Sequence, residues 1–436
     1  MIRRYDYIRR LAAKSWNGKI KIITGIRRCG KSFLLNTLYR DYLLGEGVAK
    51  DEIISIDLEK QSSAKFRNPL LLSNYVSEKS ADRSRKYYVF IDEIQMSFKV
   101  KNPEFSGVET VPEDENLLYI SFYDVLNELV SHENLDIYVT GSNSKMLSKD
   151  IVTTFRDRGS EIMVSPLSFS EFYNNSDLEK ADAFEDYMRF GGMPLAVLEN
   201  DGSEKMKYLR ELHERVYFKD IVERYRLKND SILEALVDSL YSAVGSLTNV
   251  HNLANAASTL MQKGTSDNTV KAYIDYLEDA YLMQDAKRYD IKGKRYFEYP
   301  RKYYATDVGL RNARLNFRQM DSGHLMENII FNELIRRGYS VDVGMVEING
   351  NADGKKASSC NEVDFIVNTP GNKIYIQSAW NLDSDEKRAQ ETLSLRNTGD
   401  FFRKIVIVGG NGKMWIDETG ITYIGIIPFL LEDILR

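Results

Sequence analysis

Residues 25–32, Gly-Ile-Arg-Arg-Cys-Gly-Lys-Ser, decide the fold of the N-terminal part of this 436-residue chain. They match the phosphate-binding pattern G-x-x-x-x-G-K-[ST] at every fixed position. The mostly apolar residues 20–23 before them predict a strand, and residues 33–39 after them predict a helix. A plain glycine turn can match the pattern by chance, but this strand, loop and helix context favours a loop that binds a nucleoside triphosphate.

The residue types of the loop suit phosphate and magnesium binding. Glycines let the backbone wrap around an anion, so that N–H groups at the N-terminus of the following helix point at it. We expect Lys31 to reach the β- and γ-phosphates and Ser32 to ligate Mg²⁺. The predicted cofactors are ATP and Mg²⁺. The predicted cofactor-binding residues are Gly25, Ile26, Arg27, Arg28, Cys29, Gly30, Lys31, Ser32 and Phe33.

Residues 87–94, YYVFIDEI, form a short apolar run that ends in two carboxylates. The carboxyl ends of buried parallel strands line the ligand crevice of an α/β sheet. We therefore expect Asp92 to hold Mg²⁺ and Glu93 to polarise the attacking water, since adjacent side chains of an extended chain point in different directions. Taken alone, the run also fits a core strand followed by a solvated acidic turn.

Residues 135–140 predict a further strand, and polar residues follow it. Asn143 in that segment is a candidate contact for the γ-phosphate or the attacking water, although the same segment also suits a helix cap. Arg156 and Arg158 come next, before a strand predicted at residues 162–167. Either arginine is a candidate for stabilising the transition state on a neighbouring subunit's nucleotide, and a surface salt bridge is the alternative.

Six motifs between residues 25 and 173 resemble, in the same order, those of a large family of bacterial and archaeal AAA-type ATPases. They are GIRRCGKS, YYVFIDEIQ, SFYDVLNELV, YVTGSNSKML, FRDRG and SPLSFSEFY. The resemblance implies an oligomer and a second, poorly characterised domain behind the ATPase, and it identifies no substrate. It implies that Lys31 and Ser32 belong to the Walker A motif and that Asp92 and Glu93 form the Walker B pair. It also implies that Asn143 lies in the sensor motif and that Arg156 or Arg158 is the arginine finger.

Composition narrows the class of protein. A hydrophobic fraction of 43% and a charged fraction of 28% are ordinary for a folded protein, and the length predicts about two to four domains. A net charge of −5 gives no support to non-specific binding of nucleic acid or anionic membrane. Two cysteines and the absence of long apolar runs predict a reducing, cytoplasmic location with no membrane contact.

Helical periodicity follows the ATPase pattern and predicts a small lid over residues 170–226. Residues 247–284 then predict a helix-turn-helix, capped by Asn249 and by Ser266 or Asp267, and the resemblance implies a winged helix there. The face of its second helix, which offers Asn268 and Lys271, also offers acidic residues that repel DNA phosphates: Asp275, Glu278 and Asp279. This face favours contact with protein.

The following residues 287–302 hold seven basic and two acidic residues, interleaved with aromatics. Such a mixture suits nucleic-acid backbone contact and base stacking, and it also suits a hairpin with a solvated basic face. Both interpretations stay open at this stage, with the hairpin favoured.

The C-terminal residues resemble a PD-(D/E)XK nuclease core. A helix carries Glu327, a strand carries Asp364, and the next strand ends in Gln377. Active members need an acidic residue and a lysine where this chain has Gln377-Ser-Ala379, because these supply a metal ligand and stabilise the phosphate charge. We therefore predict a degenerate nuclease-like domain for binding or regulation, with an active, ATP-gated DNA nuclease as the alternative.

The predicted fold class is α/β, a P-loop NTPase sheet flanked by helices, followed by a lid, a winged-helix module and a restriction-nuclease-like domain. The predicted boundaries are 1–169, 170–226, 227–305 and 306–436. The predicted function is a Mg²⁺-dependent ATPase that moves its C-terminal interaction domains. A tight ATP-binding switch that rarely hydrolyses is a further alternative, and the partner, protein or nucleic acid, stays open.

Overall fold

The computed structural model describes residues 2–105, 115–141, 158–227, 230–261, 264–352 and 355–435. The chain divides into two compact units, Met1–Val164 and Ser165–Arg436. Within the described residues, no helix is long and apolar enough to span a membrane. The predicted sensor Asn143 and the candidate finger Arg156 lie outside the described residues.

The first unit is built on a parallel sheet of five strands in the order β2-β3-β6-β1-β7. A small antiparallel pair, β4 with β5, lies outside that sheet. The strands are β1 Ile20–Thr24, β2 Ile53–Asp57, β3 Tyr87–Asp92, β4 Val100–Lys101, β5 Tyr119–Ile120, β6 Leu135–Thr140 and β7 Gly159–Met163. The helices are α1 Tyr5–Ala13, α2 Lys31–Phe33, α3 Arg40–Gly45, α4 Pro69–Lys79 and α5 Phe122–Leu129, with a π-helical segment Leu34–Tyr39 between α2 and α3.

Mostly apolar sequences explain why these strands lie inside the unit, and the charged Lys21 of β1 is buried as an ion pair with Asp136 of β6. All residues of β1 and β6 are buried, as expected for parallel strands covered by helices on both faces. The prediction of an α/β unit with a parallel sheet is confirmed. The strand predicted at residues 162–167 instead occupies Gly159–Met163, because its pairing with β1 begins at Ile20 opposite Gly159.

The second unit starts with helices and continues into a mixed sheet. The helices are α6 Phe169–Tyr173, α7 Lys180–Phe190, α8 Pro194–Leu198, α9 Gly202–Glu211, α10 Lys219–Arg224, α11 Ser231–Ser242, α12 Val250–Met261, α13 Asp267–Asp279, α14 Val308–Arg314, α15 Ser322–Arg336, α16 Asp385–Arg396 and α17 Ile426–Leu431. The strands are β8 Leu247–Thr248, β9 Met283–Asp290, β10 Arg295–Ala305, β11 Ser340–Ala352, β12 Lys355–Thr369, β13 Asn372–Ala379, β14 Arg403–Val408, β15 Trp415–Ile416 and β16 Thr422–Gly425. A π-helical segment, Leu212–Phe218, joins α9 to α10.

Among the described residues of the second unit, the nine strands belong to one sheet, ordered β15-β16-β14-β13-β12-β11-β9-β10-β8. The hairpin β9–β10 joins the C-terminal strands through a parallel pair in which Val343 of β11 lies opposite Arg288 of β9. The segment predicted as a winged helix and the one predicted as nuclease-like therefore share hydrogen-bonded strands. The boundary predicted between residues 305 and 306 stays a prediction.

A close backbone approach holds α7, α8 and α14 together. The Asp307 carboxylate accepts hydrogen bonds from the backbone N–H of Gly192 at 2.7 Å and of Leu310 at 3.0 Å. A Cβ at Gly309 would lie 2.0 Å from the carbonyl oxygen of Phe190, so only glycine fits there. The turn between α7 and α8 is thereby fixed against the start of α14.

We predict that Gly309→Ala destabilises the second unit by about 3 kcal/mol, since the added methyl group meets backbone and cannot be accommodated by a rotamer change. Urea unfolding followed by circular dichroism measures the change. Gly202→Ala is the matched control, because its Cβ would meet only the Phe190 side chain, at 3.7 Å. Equal stability of the two variants would contradict the proposed tight contact.

Candidate nucleotide site

The loop between β1 and α2 adopts a backbone that glycine favours. Gly25 has φ +131° and Gly30 has φ +98°, and Arg28 between them is also left-handed with φ +66°. A Cβ at Gly25 would lie 2.1 Å from the carbonyl oxygen of Val164, so the loop passes that residue too closely for any side chain. The buried Cys29 thiol donates to the same carbonyl at 3.2 Å. The loop is thus fixed to the end of β7.

Lys31 begins α2 and folds back over this loop. Its side chain is almost entirely buried, and its Nζ donates to the carbonyl oxygens of Gly25 at 2.9 Å and Ile26 at 3.0 Å. The positive charge is therefore held inside the concave side of the loop. Ammonium N–H groups in that position can pass from carbonyl oxygens to the oxygens of a phosphate anion.

Asp92, the last residue of β3, connects three elements. One carboxylate oxygen accepts from the Ser32 hydroxyl at 3.0 Å and from the Thr140 hydroxyl, and the other accepts from the Asn36 amide at 3.1 Å. The phosphate-loop helix, β3 and β6 thus meet at one carboxylate. The sequence prediction paired Ser32 with Asp92 as metal residues, and the structure brings these two side chains into contact.

Sequence reasoning missed Asn36 and Thr140. The side-chain oxygen of Asn36 accepts a hydrogen bond from the Ser55 hydroxyl at 2.8 Å, so Asn36 links Asp92 to β2 as well. The available signal was positional: Asn36 follows Ser32 by one helical turn, and Thr140 is a polar residue at the carboxyl end of a strand.

Burial raises the pKa of Asp92, and hydrogen bonds from Thr140 and Ser32 lower it again in part. A cation beside this carboxylate would stabilise its ionised form. Ser32 and Asp92 together offer oxygen ligands of the kind that Mg²⁺ takes. The residues present therefore fit a magnesium site beside the loop.

Glu93 does not continue the extended chain of β3, as the sequence analysis expected, because its backbone is left-handed, with φ +54°. Its backbone N–H donates to the Thr140 hydroxyl oxygen at 3.0 Å, and its carboxylate accepts from the Gln95 amide. Burial raises the pKa of Glu93, while the charge of Lys31 lowers it. A buried carboxylate with a raised pKa is a stronger base than an exposed one, as an attacking water requires.

The remaining predicted residues differ in exposure and in position. Phe33 and Arg28 are exposed, and Ile26 is buried in the loop. Arg158 lies at the amino end of the sheet, because its backbone oxygen accepts from the N–H of Ile20, the first residue of β1. It is thus at the end of the strands opposite the phosphate loop, so a catalytic role for it requires a nucleotide of another subunit.

A second polar cluster occurs in the second unit. Glu327 of α15 and Asp364 of β12, the two predicted nuclease-like residues, both contact the ammonium group of Lys302. Sequence analysis included Lys302 in the basic face of residues 287–302, and the structure corrects this, since Lys302 is buried. Gln377 accepts from the backbone N–H of Asp364 at 3.4 Å.

One further correction concerns α13. Asp279 was expected on its solvent face, but its side chain is buried and accepts a hydrogen bond from the Tyr225 hydroxyl at 2.9 Å. The exposed residues of that helix include Asp267, Asn268, Lys271 and Asp275.

A parallel sheet with flanking helices, a phosphate loop and an acidic strand end define a P-loop NTPase fold. A family model described as AAA domain matches residues 17–173. Two models described as domains of unknown function, DUF8612 and DUF4143, match residues 181–321 and 322–429.

Relatives match along nearly the whole chain. An uncharacterized protein of Haemophilus influenzae is 32% identical over 440 residues, which covers 99% of both chains. An uncharacterized protein of Methanocaldococcus jannaschii is 27% identical over 437 residues, covering 94% of this chain and 87% of that protein. The chain belongs to the same family as the Haemophilus influenzae protein, and its N-terminal part is an AAA domain.

Solved structures give weaker matches. AMPPCP-bound DnaA from Aquifex aeolicus has 16% identity and a TM-score of 0.30, covering 63% of this chain and 86% of that chain. The Aeropyrum pernix ORC1 protein in complex with DNA has 12% identity and a TM-score of 0.28, covering 72% and 93%. TM-scores this low do not show that these proteins share the fold of this chain.

Proposed function

We propose that this protein is a Mg²⁺-dependent ATPase whose nucleotide state controls the C-terminal interaction modules. The observation that carries the proposal is the contact between the Ser32 hydroxyl and the Asp92 carboxylate at the mouth of a glycine-rich loop. A phosphate-binding loop and a carboxylate beside it supply the two halves of a site for a metal-bound triphosphate.

Each group in this site has a role in transfer of the γ-phosphoryl group to water. Lys31 would hold the β- and γ-phosphates, and Ser32 and Asp92 would hold Mg²⁺. When bound, Mg²⁺ would supply positive charge to the phosphate oxygens. Glu93 orients the attacking water and accepts its proton, and Thr140 fixes both carboxylate-bearing residues through its hydroxyl group.

The transition state needs further positive charge, for which we propose an arginine from a second copy of the chain. Arg158 and Arg156 are the candidates, together with Asn143 as the sensor of the γ-phosphate. Guanidinium groups suit this role because they bind phosphate oxygens through two parallel hydrogen bonds. A homo-oligomer is therefore part of the proposal.

The second unit supplies the proposed interaction modules. The element order α11, β8, α12, α13, β9 and β10, with β10 antiparallel to both β8 and β9, supports a winged-helix module. The exposed face of α13 carries two aspartates against one lysine, and Lys271 also lies 3.6 Å from Glu298. This charge balance favours a protein partner over a DNA groove.

The sheet from β11 to β14 with α15 supports a nuclease-like fold that has lost its activity. Glu327 and Asp364 converge, but Gln377 occupies the position where active members carry an acidic ligand. An amide is neutral, so it binds a divalent cation more weakly than a carboxylate does. We therefore propose that this part of the chain binds a partner and does not cut nucleic acid.

A second candidate function is ATP-gated nucleic-acid binding through the hairpin β9–β10. Lys287, Lys292, Lys294 and Arg295 are exposed on it, and Tyr296 is 58% exposed. Exposed cations beside an aromatic ring suit phosphate contact and base stacking.

We predict that Glu93→Gln retains ATP binding and lowers turnover at least about 100-fold, because an amide cannot accept the proton of the attacking water. Calorimetric titration with ATP and Mg²⁺ measures binding, and phosphate release measures turnover. Since Glu93 acts as the ionised base and burial raises its pKa, wild-type turnover should fall as the pH is lowered. Glu78→Gln, at an exposed glutamate of the same unit, is the control and should keep wild-type turnover. Unchanged turnover in Glu93→Gln would remove Glu93 from its role.

The two candidate functions predict different results for charge reversal on the hairpin. Nucleic-acid binding predicts that Lys287→Glu with Lys294→Glu weakens binding of a fluorescent DNA duplex at least about tenfold in 50 mM salt, because phosphate contacts are lost. The control is Lys180→Glu with Lys413→Glu, at exposed lysines elsewhere in the second unit. Our preferred proposal predicts the same weak binding for both double variants.

Plasmid incubated with Mg²⁺ and ATP tests the nuclease alternative. We expect no cleavage. Cleavage that disappears in Asp364→Asn would overturn the assignment of an inactive nuclease-like fold.

A further inference from the structure

One edge of the sheet in the second unit exposes a row of apolar side chains. Among the described residues, β15 is the last strand at that edge. Met414, Trp415 and Ile416 are consecutive there, and they are 53%, 46% and 63% exposed. Proteins usually protect a sheet edge with charged side chains, proline or a bulge, because an open edge is a template for another strand. This edge carries apolar side chains where such protection is expected.

The backbone of the same segment can pair with a further strand. Asp417 donates its backbone N–H to the carbonyl oxygen of Ile421 across the hairpin at 3.0 Å. Backbone groups of successive residues in a strand point to opposite sides within the plane of the sheet. Those of Asp417 and Trp415 therefore face β16, while those of Ile416 and Met414 face away from it. The outward groups are the hydrogen-bonding positions that an added antiparallel strand uses.

Side chains of this edge are held in place by their own hairpin and by α16. The Trp415 ring stacks on Tyr423, with ring centroids 4.2 Å apart and an interplanar angle of 6°. The Arg388 guanidinium lies 5.8 Å from the centroid of the Trp415 ring. The Asp417 carboxylate accepts hydrogen bonds from the backbone N–H of Thr419 at 2.9 Å and from the Tyr423 hydroxyl at 3.1 Å. Binding a partner at this edge therefore costs little side-chain entropy.

The sequence of the edge is complementary to itself. Residues 413–417 read Lys-Met-Trp-Ile-Asp. When two copies lie antiparallel about a two-fold axis at Trp415, Met414 of each copy lies opposite Ile416 of the other. Lys413 of each copy then lies opposite Asp417 of the other, and the two Trp415 residues face one another. Apolar, aromatic and opposite-charge pairs in such positions stabilise antiparallel strands.

Backbone direction and charge both select this register. Pairing requires outward-facing residues opposite outward-facing residues, and Met414 opposite Ile416 meets that requirement. The next register that meets it is centred on Ile416, and it puts Trp415 opposite Asp417 and Met414 opposite Glu418. Apolar side chains would then lie against carboxylates. The register centred on Trp415 is therefore favoured.

We propose that β15 pairs antiparallel with β15 of a second copy of this chain about a two-fold axis at Trp415, so that two sheets join into one. Two-fold pairing covers both apolar edges and leaves none for a third copy. The segment is short compared with an interface of standard size, so the dimer is weak and depends on protein concentration. This inference concerns the second unit only, and it holds whether or not the first unit hydrolyses ATP.

Sedimentation velocity of the full-length, nucleotide-free protein between about 1 and 100 µM tests the proposal. We expect the wild-type protein to equilibrate between monomer and dimer. Ile416→Glu should raise the dissociation constant at least about tenfold, because it puts a carboxylate opposite Met414 of the other copy. Leu247→Glu, at an exposed leucine of β8 on the other edge of the same sheet, is the control and should associate as wild type does. A wild-type monomer at every concentration, or equal association of Ile416→Glu and wild type, would overturn the proposal.

A pair of compensating changes tests the register. Met414→Lys alone should weaken the dimer as Ile416→Glu does. The two changes combined in one chain should bring the dissociation constant back to within about threefold of wild type, since each new ammonium group lies opposite a new carboxylate of the other copy. Additive weakening in the combined variant would contradict the pairing about Trp415, whether the true occupant is a foreign peptide or a copy in another register.

Disulfide trapping gives a second measurement on the folded protein. Trp415→Cys puts one thiol directly opposite that of the other copy, in a non-hydrogen-bonded pair whose Cα atoms are about 4.5 Å apart. After oxidation with copper phenanthroline, we expect this variant to run as a covalent dimer on a non-reducing gel. Wild type, which keeps the exposed Cys360, is the control. A yield of covalent dimer no higher than in wild type would rule out the proposed pairing.

Discussion

The nucleotide site depends on the hydrogen bonds of the Asp92 carboxylate. This carboxylate accepts hydrogen bonds from Ser32, Asn36 and Thr140, so its position at the end of β3 fixes the phosphate-loop helix and the end of β6 together. A buried carboxylate is costly unless its oxygens are paired, and here hydroxyl and amide donors satisfy them. The same arrangement leaves Ser32 and Asp92 facing one another beside Lys31. The proposed metal site and the packing of these three elements therefore depend on the same atoms.

The sequence predicted those parts of the site that a pattern of neighbouring residues marks. The loop at residues 25–32 has fixed glycines and a lysine at fixed spacing, and β1 and β3 are mostly apolar. The meeting of Ser32 with Asp92 followed from the rule that parallel strands end at one edge of a sheet. Thr140 and Asn36 could not be identified in the same way, because a single hydroxyl or amide at the end of a strand or within a helix has many uses.

Lys302 shows where sequence reasoning reaches its limit. It is 25 residues from Glu327 and 62 residues from Asp364 along the chain, so no local pattern connects them. It stands among exposed basic residues, which suggested a solvated face. A signal was nevertheless present, since side chains alternate along a strand and Lys302 shares its face with the buried Tyr304. The sheet that unites β9 and β10 with the C-terminal strands is what brings this lysine to the acidic cluster.

A double-mutant cycle on Ser32→Ala and Asp92→Asn tests the central claim most directly. Calorimetric titration with ATP, with and without Mg²⁺, measures the magnesium-dependent part of the binding free energy for all four proteins. The account predicts that the two changes are coupled by more than about 1 kcal/mol, because both side chains act on one metal-bound triphosphate. Additive effects within about 0.5 kcal/mol, or no magnesium dependence in the wild-type protein, would contradict it.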